Sequence, residues 1–183
     1  MMRHDISKKF IKFLLLAVAS CAMLSVAEGQ DTKTTVYKIA EAGIQLDLPA
    51  GWEASKDPNG TILIIKKDAG GYELYSFTVL GRDPALTIET TYAAFSEGIF
   101  EKAKSEWKGF KPGELVKDTQ GGMALRAQKI EGNVESAGGD LEGLVVVIDS
   151  PQRLGIFAQR TKNHSDLLGR EGDQLLGSIR KIQ

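Results

Sequence analysis

The side chains that most often act as nucleophiles, general bases or metal ligands are scarce in this chain. Its 183 residues include one cysteine, Cys21, and two histidines, His4 and His164. A Ser-His-Asp hydrolase would need one of these histidines as its base, and the sequence has no G-x-S-x-G nucleophile elbow to accompany it. Thiol and imidazole chemistry therefore depend on very few positions.

His164 stands in a context that is typical of a helix start. Asn163, His164 and Ser165 precede a segment of helical apolar periodicity, and Asn and Ser are favoured N-cap residues. We interpret His164 as part of this cap and predict that it is not a general base.

Four acidic residues surround the Gly138–Gly139 pair, where a hairpin turn is expected. A weak calcium site is one interpretation and a solvated loop is the other. We favour the loop because the D-x-[DN]-x-[DN]-G spacing of calcium loops is missing. The four acids are Glu131, Glu135, Asp140 and Glu142.

The segment from Leu144 to Asp149 resembles a Walker B strand, in which the final acid helps to hold magnesium. No G-x-x-x-x-G-K-[ST] loop accompanies it. We therefore interpret Asp149 as the start of an Asp-Ser-Pro turn. Together these motifs lead us to predict no catalytic residue, no metal site and no cofactor.

The first 27 residues have the pattern of a signal peptide. Basic residues precede an uncharged apolar run from Phe13 to Ala27, which at 15 residues is shorter than the ~20 of a spanning helix. Ser25 and Ala27 are the small residues of a signal peptidase site, so we predict cleavage after Ala27. This predicts export to the periplasm or the medium.

Removing the leader changes the composition. It carries four basic residues and one acidic residue, so 19 basic and 23 acidic residues remain and the formal net charge falls from −1 to −4. The remaining 156 residues have no cysteine and one histidine, which excludes disulfides, thiol nucleophiles and zinc sites built on several histidines. The excess of acidic over basic residues also makes nucleic acid an unfavourable partner, because nucleic-acid binding needs a clustered basic surface.

Cys21 supports an alternative in which the protein is a lipoprotein. Val18, Ala19, Ser20 and Cys21 spell a lipobox, after which bacterial lipoproteins are cleaved and acylated on cysteine. Cleavage there would leave the apolar residues 22–27 next to the lipid, where such tethers are usually polar. We favour the soluble product and keep the anchored form as the alternative.

After a lead-in over residues 28–35, the hydrophobic pattern predicts one α+β domain over 36–183. Period-two runs separated by turn residues predict antiparallel strands, and in the strand from Tyr72 to Leu80 the face with Phe77 and Val79 is the expected core face. The uninterrupted apolar run Leu144–Ile148 predicts a strand covered on both faces. The predicted strands cover residues 36–40, 44–48, 61–66, 72–80, 114–120, 123–131, 141–149 and 154–161.

Two helices are predicted. The first begins after Thr87 as its cap and ends near Gly109, and its apolar stripe steps by three or four residues. The stripe consists of Ile88, Tyr92, Phe95, Ile99, Ala103 and Trp107. We interpret it as core, with Trp107 expected to be partly exposed at the helix end and therefore a speculative binding surface. The second helix is predicted to run to the C-terminus, with Leu168, Gly172, Leu175, Ile179 and Ile182 on one face.

The order of these elements, and the strand ending Leu48-Pro49-Ala50-Gly51-Trp52, resemble the PsbP-like fold. The resemblance covers nearly all of the mature chain and includes the PsbP proteins of photosystem II and the DcrB-type envelope proteins of bacteria. It implies a three-layer α/β/α sandwich, with a mostly antiparallel sheet between helices on both faces. Pro49, Gly51 and Trp52 are then structural: Pro49 ends a strand, Gly51 permits a turn and Trp52 anchors it.

Proteins of this fold act as assembly factors, extrinsic subunits or binding proteins, so the resemblance implies a non-catalytic accessory protein of the bacterial cell envelope. Its ligand is unknown, and a protein partner is expected. The alternative is a small hydrolase or ligand-processing enzyme that works through carboxylates alone.

The mass of the exported protein distinguishes the two processing routes. Cleavage after Ala27 predicts an unmodified chain that begins at Glu28 and contains 156 residues. Intact-mass spectrometry of the protein from an expressing bacterium measures this directly. A chain that begins at an acylated Cys21 would contradict the soluble form and support the anchored one.

Overall fold

Ten strands and two α-helices make up the described part of the chain. The structure is a computed structural model and describes residues 34–68, 71–162 and 166–183. The predicted processing residues Cys21 and Ala27 lie outside these ranges, as does His164. The processing and cap predictions for these residues therefore remain predictions.

A small antiparallel sheet joins the start and the end of the domain. Its strands are β1 (Thr35–Ile39), β2 (Ile44–Leu48) and β10 (Arg180–Lys181), in the order β1-β2-β10. Strand β1 begins at Thr35, one residue before the predicted domain start. A 3-10 turn at Ala40–Ala42 connects β1 to β2, and Gly43 follows it with a φ of 66°.

The larger sheet has seven antiparallel strands in the order β3-β4-β5-β9-β8-β7-β6. The predicted meander is therefore correct, since β6, β7, β8 and β9 are neighbours in chain order. Strand β3 was not predicted, and β6 begins six residues before the predicted strand. The strands are β3 (Glu53–Lys56), β4 (Ile62–Lys67), β5 (Tyr72–Gly81), β6 (Lys108–Gln120), β7 (Met123–Val134), β8 (Gly139–Ile148) and β9 (Arg153–Thr161).

Helix α1 (Ile88–Glu106) agrees with the predicted helix at its start. The Thr87 hydroxyl accepts a hydrogen bond from the backbone N–H of Thr90 at 3.2 Å, which satisfies one of the unpaired amides of the first turn. Glu89 lies in that turn, where the helix dipole favours a negative charge. The helix ends before Trp107, and Gly109 already belongs to β6.

Neither helix in the described ranges is both long enough and apolar enough to cross a membrane.

Helix α2 (Asp166–Gly177) is shorter than predicted. The chain leaves the helix after Gly177, and Arg180 and Lys181 pair with Gln45 and Ile44 as strand β10. The predicted helix was too long because Ile179 continues the spacing of the apolar residues of α2. Ile179 is buried, with 2% of its surface exposed, but it lies beyond the end of the helix. The pairing of β10 with β2 depends on backbone hydrogen bonds to a strand that is distant in sequence, so no local pattern in the sequence predicted it.

Two apolar clusters lie against the larger sheet, and β8 contributes alternate residues to each. Leu144, Val146 and Ile148 join a cluster that includes Leu168, Leu175 and Leu176 of α2. The intervening Val145 and Val147 join a cluster that includes Ile88, Tyr92 and Ala103 of α1. This explains why the apolar run in β8 is continuous rather than alternating.

The Pro49-Ala50-Gly51-Trp52 turn places an aromatic side chain in the α2 cluster. The backbone N–H of Trp52 bonds to the Pro49 carbonyl at 3.3 Å, and Gly51 has a φ of 81°. The Trp52 ring is 6% exposed, lies 5.7 Å from the ring of Tyr75, and donates its indole N–H to Glu171 at 3.0 Å. Trp52 therefore connects this turn both to the sheet and to α2.

Two substitutions of Trp52 should reduce the free energy of unfolding by different amounts, because they remove different contacts. Trp52→Ala removes the ring and its packing, which we expect to cost about 3–5 kcal/mol. Trp52→Phe keeps most of the packing but removes the hydrogen bond to Glu171, which we expect to cost about 1–3 kcal/mol. Urea denaturation of the two variants and the parent measures both values, and an unchanged transition for Trp52→Ala would contradict the anchor role.

Candidate functional site

A half-open groove of about 550 Å³ lies between the second half of α1, the 3-10 turn Glu135–Ala137, and the sheet. Three parts of the chain that are distant in sequence supply its walls. Its size falls within the range of ordinary ligand sites, roughly 300–1,000 Å³. The lining residues are Tyr72, Gly98, Ile99, Lys102, Ala103, Glu106, Trp107, Val134, Ser136, Ala137, Leu141, Phe157 and Gln159.

Trp107 lines this groove but is buried, so the expectation of partial exposure is wrong. Its ring is 7% exposed, and two glycines on neighbouring strands make room for it. A Cβ atom at Gly132 would come within 2.9 Å of the Trp107 side chain, and one at Gly143 within 3.1 Å. These glycines were the available sequence signal, since glycine inside a strand often marks a close approach.

The groove combines apolar side chains of α1 with a few polar groups. Ile99 and Ala103 present the predicted apolar stripe of α1, and the stripe residues all belong to or pack against the α1 cluster. Lys102 and Glu106 form a loose ion pair of 4.0 Å on the rim, and both side chains are more than half exposed. Such a pair contributes little to stability, so both groups remain available to a ligand.

Tyr72 is one of the polar residues that line the groove. Burial raises the pKa of Tyr72 above its usual value, so its phenol is neutral at physiological pH and can donate or accept a hydrogen bond. Gln159 and Ser136 add two more uncharged polar side chains. A wall of apolar side chains with several uncharged polar groups suits binding and orientation of a partner rather than proton transfer.

The acids around Gly138 and Gly139 are each engaged by a neighbouring side chain. Lys129 Nζ lies 3.3 Å from Glu131 and 3.1 Å from Glu142. Asp140 accepts a hydrogen bond from Asn133 at 2.9 Å, and Glu135 pairs with Lys108. The described residues contain no group of three or more metal-binding side chains arranged to hold an ion, so this loop offers no support for the calcium alternative.

Asp149 forms ion pairs with two arginines, and these contacts take the place of the magnesium site that a Walker B strand would suggest. Its carboxylate lies 3.2 Å from Arg153 and 3.4 Å from Arg82. Arg153 is 5% exposed and also donates to Thr91 and to the Leu86 carbonyl, both at 2.6 Å. Asp149 therefore helps to attach the start of α1 to the turn between β8 and β9, in agreement with its interpretation as a turn residue.

A buried polar cluster beneath α2 escaped the sequence analysis. Glu73 has no exposed surface; its carboxylate accepts a hydrogen bond from Tyr75 at 2.5 Å and lies 3.5 Å from Arg160. Arg160 in turn lies 3.2 Å from Asp173 of α2. We call Glu73, Tyr75, Arg160 and Asp173 the α2 polar cluster. The available signal was the spacing of two residues between Glu73, Tyr75 and Phe77, which places Glu73 on the predicted core face.

The groups of the α2 polar cluster shift one another's pKa values. Burial alone would lower the pKa of Arg160, but Glu73, Tyr75 and Asp173 outweigh it and raise the pKa above its usual value. Burial, and next the charge of Glu73, raise the pKa of Tyr75 well above its usual range. Arg160 is thus charged and Tyr75 neutral at physiological pH. Since α2 covers the cluster, we assign it a role in holding the helix.

Two further contacts join α2 to the sheet beside this cluster. Glu171 accepts hydrogen bonds from Lys66 at 2.5 Å and from the indole of Trp52. Gly172 lies directly over Glu73 and Tyr75, and a Cβ atom there would overlap the Glu73 carboxylate and the Tyr75 hydroxyl. Glycine is unfavourable inside a helix, and the close approach to Glu73 and Tyr75 is the reason that a glycine is needed at this position.

The structure resembles that of a cyanobacterial PsbP from Synechocystis with a TM-score of 0.61. The two chains share 10% sequence identity over 87% of this chain and 99% of the other. Two likenesses are weaker. A Pseudomonas aeruginosa protein of unknown function has a TM-score of 0.46 and 20% sequence identity over 82% of this chain and 98% of the other. LpqN of Mycobacterium tuberculosis, described as involved in cell envelope biogenesis, has a TM-score of 0.45 and 13% sequence identity over 86% of this chain and 89% of the other.

The likeness to the cyanobacterial PsbP shows the fold. The chain is an α+β protein with two described helices and antiparallel sheets, similar to PsbP, as the resemblance in sequence predicted. No protein-family model matches the sequence, and a search of curated proteins finds no match. Function therefore has to be argued from the groove and from the side chains that line it.

Proposed function

We propose that this chain is an exported, non-catalytic binding or accessory protein of the bacterial cell envelope, and that the groove beside α1 holds its partner. The observation that carries the proposal is the groove itself. It offers an apolar wall and a small number of polar groups, including the neutral phenol of Tyr72 and the exposed Lys102–Glu106 pair. This is the composition of a recognition site.

The carboxylate hydrolase is the weaker alternative because glycoside and related hydrolysis needs two carboxyl groups flanking one bond. Glu106 is the one carboxylate among the residues that line the groove. Among the other described acids, Glu73 and Glu171 are buried beneath α2 in contact with Tyr75, Trp52 and Lys66. An acid held in such contacts has no open cleft in which to act on a substrate.

The envelope location rests on the leader. Basic residues, an apolar run and the small residues Ser25 and Ala27 support secretion to the periplasm or the medium. The lipobox at Cys21 supports membrane anchoring as the alternative, with the same domain exposed outside the membrane. In either form we expect a protein partner, and we expect neither nucleic acid nor a cofactor to bind.

We also propose that the fold is the three-layer sandwich of the PsbP-like and DcrB-type proteins. The support is that α1 and α2 belong to two apolar clusters fed by alternate residues of β8. In this arrangement the groove opens on the α1 side of the sheet, away from α2 and its polar cluster.

Filling the groove should abolish partner binding without unfolding the protein. Gly98 lines the groove within α1, and a Cβ atom added there meets no other atom within 4 Å. Gly98→Leu therefore places a bulky side chain in the groove without overlap at the first carbon. With a photo-crosslinking amino acid at position 102, we expect this variant to lose the cross-linked partner that the parent captures in the envelope.

The matched control is Gly177→Leu, at the end of α2, where an added Cβ also meets nothing within 4 Å. It should leave cross-linking from position 102 unchanged. Equal cross-linking by Gly98→Leu and the parent would contradict the proposed groove. Turnover in an esterase or glycosidase screen that is lost on a single carboxylate change would contradict the non-catalytic role.

A further inference from the structure

Strand β6 is an outer strand of the larger sheet and has a regular second half. It stands last in the order β3-β4-β5-β9-β8-β7-β6, so within the described residues it pairs with β7 alone. Its register with β7 shifts twice between Lys108 and Leu115 and is regular from Leu115 to Gln120. Leu115 is 43% exposed. We call residues 115–120 the β6 edge.

The hairpin turn after β6 determines which backbone groups of the β6 edge point away from β7. Gly121 and Gly122 have φ values of 55° and 71°, as in a two-residue type I′ loop. The pair that flanks such a loop, here Gln120 and Met123, is hydrogen-bonded, and hydrogen-bonded pairs alternate with non-hydrogen-bonded ones along an antiparallel ladder. Every second residue back from Gln120 is therefore bonded to β7, and the residues between them point their N–H and C=O groups outward.

Two hydrogen bonds agree with this assignment of the outward residues. The outward residues are Leu115, Lys117 and Thr119. The Thr119 N–H is accepted by the Asp118 carboxylate at 2.6 Å, so β7 does not use it. The C=O of Ala124, the partner of Thr119 on β7, accepts the N–H of Asp149 at 2.8 Å at the end of β8, on the side away from β6.

The chain limits the β6 edge at both ends. Before it, Pro112 has no N–H, and the Gln128 amide donates to the Gly113 carbonyl at 2.7 Å. At its other end, the Asp118 carboxylate occupies the N–H of Thr119. Prolines, bulges and charges are devices that keep edge strands from unwanted pairing. In the described chain they leave the N–H and C=O groups of the first two outward residues open to a partner.

A second copy of this chain fits the β6 edge poorly. A two-fold pairing of two such edges must place outward residues opposite one another, and the possible registers conflict with the sequence. One register sets Lys117 opposite its own copy, and another sets Glu114 opposite Asp118. Like charges directly opposite each other are destabilising. A third register, with Leu115 opposite its own copy, brings Gly113 and the irregular part of β6 into the pairing.

The two charges of the β6 edge stand at neighbouring positions on opposite faces of the sheet. Lys117 is paired with Arg126, which donates to Glu89 of α1, so Lys117 lies on the α1 side. Asp118 is paired with Leu125 of the α2 cluster and lies on the α2 side. Directly opposite residues of adjacent strands share a face. The arrangement therefore fixes the order of two complementary charges along a strand that pairs with β6.

We infer that the β6 edge accepts an extended segment of a partner protein as an eighth, antiparallel strand of the larger sheet. From its N-terminus the segment reads base, acid, apolar, apolar, opposite Asp118, Lys117, Val116 and Leu115 in turn. In such strand addition the main-chain hydrogen bonds supply affinity and the side chains supply the sequence preference. Among the described residues that line the groove none belongs to β6, so this second surface goes beyond the proposed function.

Amide hydrogen exchange followed by NMR tests the inference with an end-blocked peptide, Thr-Arg-Glu-Val-Val-Thr. In the protein alone, the outward amides of Leu115 and Lys117 should exchange rapidly, whereas those of Val116 and Asp118, which bond to β7, should exchange slowly. The peptide at about 1 mM should slow exchange at Leu115 and Lys117, because its main chain accepts these two hydrogens.

Two altered peptides separate main-chain from side-chain recognition. Methyl groups on the backbone nitrogens of the glutamate and the second valine remove the donors that face β6 and should abolish the protection. Exchanging the arginine and the glutamate should weaken binding about tenfold. In Lys117→Glu the two charge orders should bind about equally. The control is Lys38→Glu, at an exposed lysine on the outer strand β1, which should keep the preference.

A photo-crosslinking amino acid at position 119 extends the test to the protein in its own envelope. We expect mapped cross-links to a segment of another protein with the same order of residues. Lys117→Glu should reduce them about fivefold, and Lys38→Glu should leave them unchanged. Cross-links to a helix, to a segment without this order or to a second copy of this chain would overturn the inference, as would no cross-link.

The exchange measurement has its own contradicting results. Slow exchange of Leu115 and Lys117 in the protein alone would show that the outer side of β6 is already paired. Equal binding of the original and methylated peptides, or no protection of β6 by the original peptide, would also overturn the inference. These results leave the groove untouched, because its test uses Gly98→Leu and cross-linking from position 102.

Discussion

The packing of α2 on the sheet depends on a buried charge pair that its own backbone covers. Arg160 lies between Glu73 of β5 and Asp173 of α2, at 3.5 Å and 3.2 Å, while Tyr75 donates its hydroxyl hydrogen to Glu73. Burying charges is costly unless each has a partner, and removing one partner of such a pair typically costs about 3–5 kcal/mol. Gly172 allows the helix backbone to approach Glu73 and Tyr75 closely enough to cover the pair. The cluster thus specifies both where α2 sits and which residue must face the sheet.

The position of α2 also determines where the end of the chain pairs with the smaller sheet. The chain that leaves α2 pairs β10 with β2, and Arg180 forms a 2.7 Å ion pair with Asp47. The smaller sheet and α2 then share one apolar cluster with β4 and β5. Helix α1 packs on β6, β7 and β8, and the groove lies between its second half and the sheet. The proposed binding surface is therefore this groove, and none of its lining residues belongs to α2.

Much of the fold could be predicted from residues whose signals are local. Thr87 identified the start of α1, and alternation identified most strands. Trp52 was expected to anchor its turn, and its ring is buried against Tyr75. Features that depend on distant contacts could not be predicted. Ile179 continued a helical period although the chain had already turned to form β10. The role of Gly172 depends on Glu73, which lies about a hundred residues earlier, and the groove depends on Gly132 and Gly143 admitting Trp107.

Comparing alanine at two helical glycines tests most directly whether the α2 polar cluster positions α2. In an open helical position alanine is favoured over glycine by about 0.5–1 kcal/mol, and Gly98 of α1 is such a position because an added Cβ meets no atom within 4 Å. Gly98→Ala should therefore raise the free energy of unfolding in urea. Gly172→Ala should lower it by about 1–3 kcal/mol or more, because the added carbon overlaps Glu73 and Tyr75. A gain in stability for Gly172→Ala equal to that of Gly98→Ala would contradict the account.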